Sequence, residues 1–201
     1  MELAELVEDF ADALVAVDLS GAAHKQFLPG IGPFGEADAV RAALAWLKKA
    51  KPHRFSKAAT KRLPDLLVPE QWAVELKVVR PFGDNGLPAE HWSENVLHPY
   101  PGNTSSLGDC LKLVTSGLAE RKAILIFGYE HTPPRVPIEQ AVLGFELLAA
   151  NLLGIALTPR HQATRSGLIH PVHQQLQVYG YEVLSQSPAD TYPVARPPAI
   201  R

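Results

Sequence analysis

The stretch PDLLVPEQWAVELKVV, residues 64–79, decides how the chain is read. Two runs rich in Val and Leu, Leu66 to Val68 and Trp72 to Val79, are bounded by Pro64, Pro69 and Pro81, as the strands of a hairpin or meander are. Side chains alternate across a strand, so Val74, Leu76 and Val78 share one face and Glu75 and Lys77 the other. An acid and a base are thus expected on one water-accessible patch backed by core. Asp65 begins the preceding strand, and tight pairing of the two strands brings its carboxylate beside that of Glu75.

Two carboxylates so placed repel unless a cation sits between them. Magnesium fits, because it prefers hard oxygen ligands, keeps several waters and is commonly held by one or two carboxylates plus a substrate phosphate. The Leu76 carbonyl is a further candidate ligand. A metal held there polarises a phosphate and acidifies a bound water, which Lys77 would orient or activate.

Working outward, Leu3, Leu6, Val7, Phe10, Leu14 and Val17 recur at helical spacing, predicting an amphipathic helix that ends near Ser20-Gly21. A Gly- and Pro-rich bend from Phe27 to Gly35 follows. A second helix starts at Glu36, turns Val40, Leu44 and Leu47 inward, runs to about Lys49 and is closed by Pro52. Downstream, Arg80 to Asn103 has no period and reads as an unusually long loop. A third helix, introduced by Asn103-Thr104-Ser105, carries Leu107, Cys110, Leu111, Val114 and Leu118 on one stripe and Asp109, Lys112 and Ser116 on another face. Ala123 to Tyr129 is almost wholly apolar, as a central strand buried on both faces would be. A fourth helix over roughly Ile138 to Leu153 and two late strands, Arg165 to Ile169 and Gln174 to Leu184, complete the order. That order is an α/β sandwich, a central mixed β-sheet flanked by helices, expected as one domain over residues 1–184 with a Pro-rich tail at 185–201.

Composition narrows the function. Nineteen Lys and Arg against 21 Asp and Glu give a net charge of −2 and a pI near 6.4, so no chain-wide basic field draws the protein to polyanions. Any affinity for nucleic acid must come from a local patch. The single cysteine, Cys110, excludes an intramolecular disulfide and a Cys-based zinc cluster. The opening MELAELVEDF carries acids where a signal peptide carries Lys or Arg, and no apolar run approaches the roughly 20 residues that span a bilayer. A cytoplasmic protein without membrane contact is the expectation.

Pro64-Asp65 followed by Glu75-Leu76-Lys77 resembles the motif of the PD-(D/E)xK nuclease superfamily, and the element order over roughly Glu36 to Leu153 is similar to that family's core. The resemblance implies a restriction-endonuclease-like fold and a Mg²⁺-dependent endonuclease, with Mn²⁺ able to substitute, acting on DNA. It implies Asp65 and Glu75 as metal ligands, Lys77 as the catalytic lysine and Glu36 as the acid that many members carry on a helix before the motif. Symmetric cutting of two strands would favour a homodimer. The competing reading is a non-catalytic protein on the same fold that binds nucleic acid or a partner.

Lys48, Lys49, Lys51, Arg54, Lys57, Lys61 and Arg62 precede Asp65 with no acid among them, which suits either phosphate contacts or a solvated helix end. Arg160 and Arg165 flank a run of hydrogen-bond donors that suits nucleic-acid contacts or an ordinary polar loop. Trp92 and Tyr100 are candidates for base stacking or for packing the long loop down. His170 and His173 read as a turn, Gly83 to Gly86 as another, and Cys110 as a buried structural thiol.

Overall fold

The computed structural model describes residues 1–99 and 104–184. Tyr100, Asn103 and the 185–201 tail therefore lie outside the described residues. Helices α1 (Leu3–Leu19), α2 (Glu36–Ala50) and the short α3 (Pro52–Phe55) lead into strands β1 (Ala59–Thr60), β2 (Leu66–Val68) and β3 (Trp72–Val79). The short α4 (Glu94–Leu97), then α5 (Ser106–Thr115), β4 (Arg121–Glu130), α6 (Glu139–Asn151), β5 (Ala156–Leu157), β6 (His161–Ser166) and β7 (Gln175–Leu184) follow.

These strands form a mixed sheet of seven, in the order β1-β2-β3-β4-β7, with β5 and β6 both pairing β7. Only β3 and β4 run parallel. A parallel pair needs a crossover, and α5 provides it. Both faces are covered, which explains the unbroken apolar run of β4. Phe127, Leu125 and Ala123 enter one core with Val74 and Leu76 under α1 and α2. Ile124 and Ile126 enter a second core under α4, α5 and α6. Helix α1 lies close against β7 because residue 180 is glycine, where a Cβ would stand 2.4 Å from the Val7 side chain.

The fully buried Asp18 at the end of α1 accepts hydrogen bonds from the Ile31 and Ile169 backbone N–H groups, each at 2.8 Å. One carboxylate thus ties the bend before α2, and so the position of Glu36, to the β6–β7 turn. Asp18→Ala leaves both N–H groups without an acceptor and should lower stability by about 2–4 kcal/mol, read from urea unfolding. An unchanged midpoint would mean that water replaces the carboxylate at no cost.

Several elements differ from the sequence reading. Pro52 does not simply close α2 but takes the first position of α3, where its missing N–H costs nothing. The Arg80 to Asn103 segment contains α4 and a bridge between Phe82 and Pro88. The first late strand is His161–Ser166, not Arg165 to Ile169. Its sequence is polar because β6 lies at the edge of the sheet with only Ala163 buried, whereas Leu168 and Ile169 follow the left-handed Gly167 into the turn. The apolar pair is thus removed from the ladder.

Candidate functional site

Strand β2 pairs with β3 only from Trp72 to Val74, so β3 runs five residues past the last pairing at Leu66 and Val74. Beyond that point the outward N–H groups of alternate residues have no partner strand. Side-chain carboxylates take them instead. Asp65, just before β2, accepts from Leu76 N–H at 2.9 Å, and Glu36, at the first position of α2, accepts from Val78 N–H at 2.9 Å. Backbone N–H and C=O of one strand residue point the same way, so the Leu76 carbonyl also faces this edge.

Glu75 and Lys77 occupy one face of β3 opposite Val74, Leu76 and Val78, as alternation requires. That face is not the water-accessible patch expected: α5 packs over it, and Glu75 and Lys77 are 4% and 8% exposed. The residue that makes this burial tolerable is Asp109 of α5, itself 2% exposed. Its carboxylate lies 3.0 Å from Lys77 Nζ and 2.6 Å from Lys112 Nζ, and Glu36 stands 3.6 Å from Lys77. Asp109 was legible only as a polar residue sharing a face with Lys112.

The electrostatics are those of a crowded acid cluster around one ammonium. Burial, the charges of Asp65 and Asp109, and a hydrogen bond shared with Asp65 push the Glu75 carboxyl up to about 8. Burial raises Asp65 against the opposing pull of the Leu76 N–H and Lys77. It raises Glu36 against Lys77 and the Val78 N–H. Burial works to lower Lys77, but Glu36 and Asp109 outweigh it and hold the ammonium above its ordinary value. Lys77 is therefore a fixed positive charge at neutral pH.

Asp65 and Glu75 are near enough for each to shift the other's ionisation, and Glu75 Oε1 is buried with no hydrogen-bond partner. A pair of crowded, part-buried carboxyls, with one oxygen unsatisfied, suits a hard divalent cation. Among the described residues no three His, Cys, Asp or Glu side chains form a ready ligand set. Magnesium asks for less: two carboxylates, the Leu76 carbonyl and water meet its needs. Glu36, expected to reach the metal directly or through water, accepts from the Val78 N–H, pairs with Lys77 and lines the same pocket as Asp65.

A pocket of about 190 Å³ opens beside Asp65 and Glu36, lined by Arg41, Thr60 and Lys61. Of the basic run, Lys61 therefore borders the site, and Lys48, Lys49, Lys57 and Arg62 are exposed. Lys51 and Arg54 turn away. The buried Asp9 of α1 holds Lys51 at 2.5 Å and Arg54 at 2.8 Å, and Glu5 also pairs with Arg54. Arg165 is likewise held by Glu8 and Asp12 of α1, and Arg160 by Glu139 and Glu146 of α6. These four cations serve to bind helices to the body of the protein.

The other candidates fall out simply. His170 and His173 stack at 4.6 Å; His170 Nδ1 accepts the Val172 and His173 N–H groups, and His173 Nε2 lies 3.1 Å from the Phe82 carbonyl. They brace a turn. Cys110 is fully buried, and burial raises its thiol far from reactivity. Trp92 is half-buried against the second core.

On the expectation of nucleic-acid binding, reversing Lys61 and Arg62 to Glu should weaken it for all sequences alike and reduce the slope of log K against log salt by roughly 2. Reversing Lys51 and Arg54 should instead lower the unfolding temperature. Salt titrations and melting curves on the two double variants separate these effects, and equal salt slopes in both would remove Lys61 and Arg62 from the interface.

The fold and site define an α/β protein with a buried acid–lysine cluster at an open sheet edge. No family model, curated protein or solved structure matches the chain. Among the described residues no helix is long and apolar enough to cross a membrane.

Proposed function

We propose that the chain is a metal-dependent nuclease hydrolysing phosphodiester bonds, with DNA as the expected substrate, on a restriction-endonuclease-like core of PD-(D/E)xK type. The observation that carries this reading is the placement of Asp65 at the unpaired edge of β3, held there by the Leu76 N–H between Glu75 and Lys77, whose side chains share one face of the strand.

Asp65, Glu75 and the Leu76 carbonyl would hold magnesium, which supplies charge neutralisation at the scissile phosphate and a bound water of lowered pKa. Everything else is the work of the chain. Lys77 keeps its proton, because Glu36 and Asp109 hold it charged. Its role is to donate hydrogen bonds to the developing phosphorane charge and to orient the attacking water, and not to act as a base. Glu36 and Asp109, on two different helices, both pair with the ammonium, so its position is fixed before substrate arrives. Arg41 and Lys61 line the adjoining pocket, where a neighbouring phosphate would be received.

A second reading, nucleic-acid or partner binding without catalysis, draws on the burial of Glu75 and Lys77 beneath α5, which leaves little of either side chain open to substrate. The two separate in one assay. Duplex, single-stranded and RNA substrates are incubated with magnesium, with manganese and with EDTA; cleavage that requires the cation supports the nuclease. Binding with no cleavage of any substrate under every condition would decide for the second reading.

A further inference from the structure

Along the unpaired edge of β3, Asp65 stands at Leu76, Glu36 at Val78, and two residues further Arg80 opens into a separate cleft of about 390 Å³. Its walls include Phe27 from the bend before α2, Phe82 and Trp92 from the segment that follows β3, and Val78 at its floor. All three rings are half-buried, so each has surface turned to the cleft. Phe82 is braced from behind by His131, edge-on at 4.7 Å, and Trp92 by the second core. The polar lining is mixed in sign: Asp84 and Glu90 line the cleft with Arg80, whose guanidinium donates one hydrogen bond to the Gly32 carbonyl at 2.7 Å.

Two carboxylates against one tethered guanidinium make a poor phosphate site. Aromatic walls with both acceptors and a fork of donors suit a flat, uncharged, hydrogen-bonding ring system. We infer that this cleft binds an unstacked nucleobase, and that the substrate therefore presents at least one base splayed from its neighbours, as single-stranded or locally opened nucleic acid does. A base brings no charge to Asp84 and Glu90, offers its exocyclic amino group to them, and turns carbonyl or ring-nitrogen acceptors to Arg80. Stacking on Trp92 and Phe27 supplies the affinity. The assignment of a nucleobase, and not another flat heterocycle, rests on the nuclease reading of the neighbouring site.

Spacing points the same way. From Leu76 to Arg80 is four residues, about 13 Å, roughly four times the ~3.4 Å rise between stacked bases of one strand, so a phosphate at the Asp65–Glu75 pair and a base in the cleft belong to nucleotides a few positions apart. A base can lie between Phe27 and Trp92 only after leaving its own stack, because both of its faces are otherwise covered. An intact duplex keeps its bases out of it.

The test has two arms. In the first, adenosine, cytidine and guanosine, which carry no phosphate, are titrated to millimolar concentration against the full chain while tryptophan fluorescence is followed, with ribose 5-phosphate as control. Quenching by nucleosides but not by the sugar phosphate, lost in Trp92→Leu, is the expected result. In the second, single-stranded oligonucleotides with and without one abasic position are bound in calcium. Removing the base should cost roughly tenfold or more in wild type and nothing in Trp92→Leu or in Phe27→Ala, the latter lying outside the core should the former fail to fold. If nucleosides leave the fluorescence unchanged and abasic and intact strands bind alike while cleavage proceeds, the cleft assignment is wrong and the nuclease stands. If nucleosides bind and no substrate is ever cut, the cleft assignment survives and the nuclease reading falls.

Discussion

Cleavage should disappear in EDTA, return with magnesium or manganese, and fall by about 10²–10³-fold or more when any one of Asp65→Asn, Glu75→Gln or Lys77→Ala is introduced. Each substitution removes charge at the reacting centre. None leaves the fold without support. Asp65→Asn keeps an oxygen to accept from the Leu76 N–H, which donates to the Asp65 carboxylate at 2.9 Å. Glu75→Gln removes one of two crowded acids. Lys77→Ala leaves Asp109 paired with Lys112 at 2.6 Å, although Glu36 loses its ammonium partner. Calcium should support binding without cleavage, since its looser coordination sphere activates water poorly. Rates on a substrate panel, with melting curves to verify folding, check all of this; undiminished cleavage by folded Lys77→Ala and Asp65→Asn would place the activity elsewhere.

The metal-free chain should lose stability as pH rises toward 8, and Glu75→Gln should remove much of that loss. Burial and the neighbouring acids push the Glu75 carboxyl from its ordinary 4.5 up to about 8 in the folded chain. Between those values the folded state holds a proton that the unfolded state has released, so stability falls with rising pH. The contribution is whole below the unfolded value and gone once pH has passed the folded one. Asp65 and Glu36, also raised, act in the same direction. His173 is lowered to about 4 by burial, chiefly, and acts oppositely, but only up to its unfolded value of 6.5. The window from 6.5 to 8 therefore isolates the acids. Unfolding in EDTA across that window should show a falling midpoint in wild type and a flatter one in Glu75→Gln. A substitution that abolishes turnover would thus strengthen the fold, and parallel curves for the two proteins would mean that Glu75 is already ionised.

What the sequence made legible is what local periodicity governs. Strands β2 and β3 fall at Leu66–Val68 and Trp72–Val79 as read, because proline bounds each of them and alternation sorts Glu75 and Lys77 from Val74 and Leu76. Helices α1 and α2 and the central place of β4 follow from equally strong apolar patterns. What remained hidden depends on which surface covers which. Nothing in the spacing of α5 says that its polar side lies over Glu75, so Asp109 passed as a surface residue and the site as an open patch. Likewise the acids that claim Lys51, Arg54 and Arg165 lie on α1, tens of residues or more away in sequence, and a local count of charge cannot find them. Strand β6 was misplaced for the converse reason: at an edge, backbone pairing outweighs side-chain hydropathy.

Helix α1 rests on β6 and β7, and Glu8, Asp12 and Asp18 near the start of the sequence bind Arg165 and Ile169 near its other end. On a ribosome, which releases the chain from its first residue onward, the earliest helix must wait for the latest strands before its apolar stripe is covered. Val7 cannot meet Gly180 until translation has gone well past that residue. The exposed face of α1 is meanwhile a natural target for chaperones that hold nascent amphipathic segments, and the sheet, dominated by distant pairings, should close slowly and as a late, concerted event.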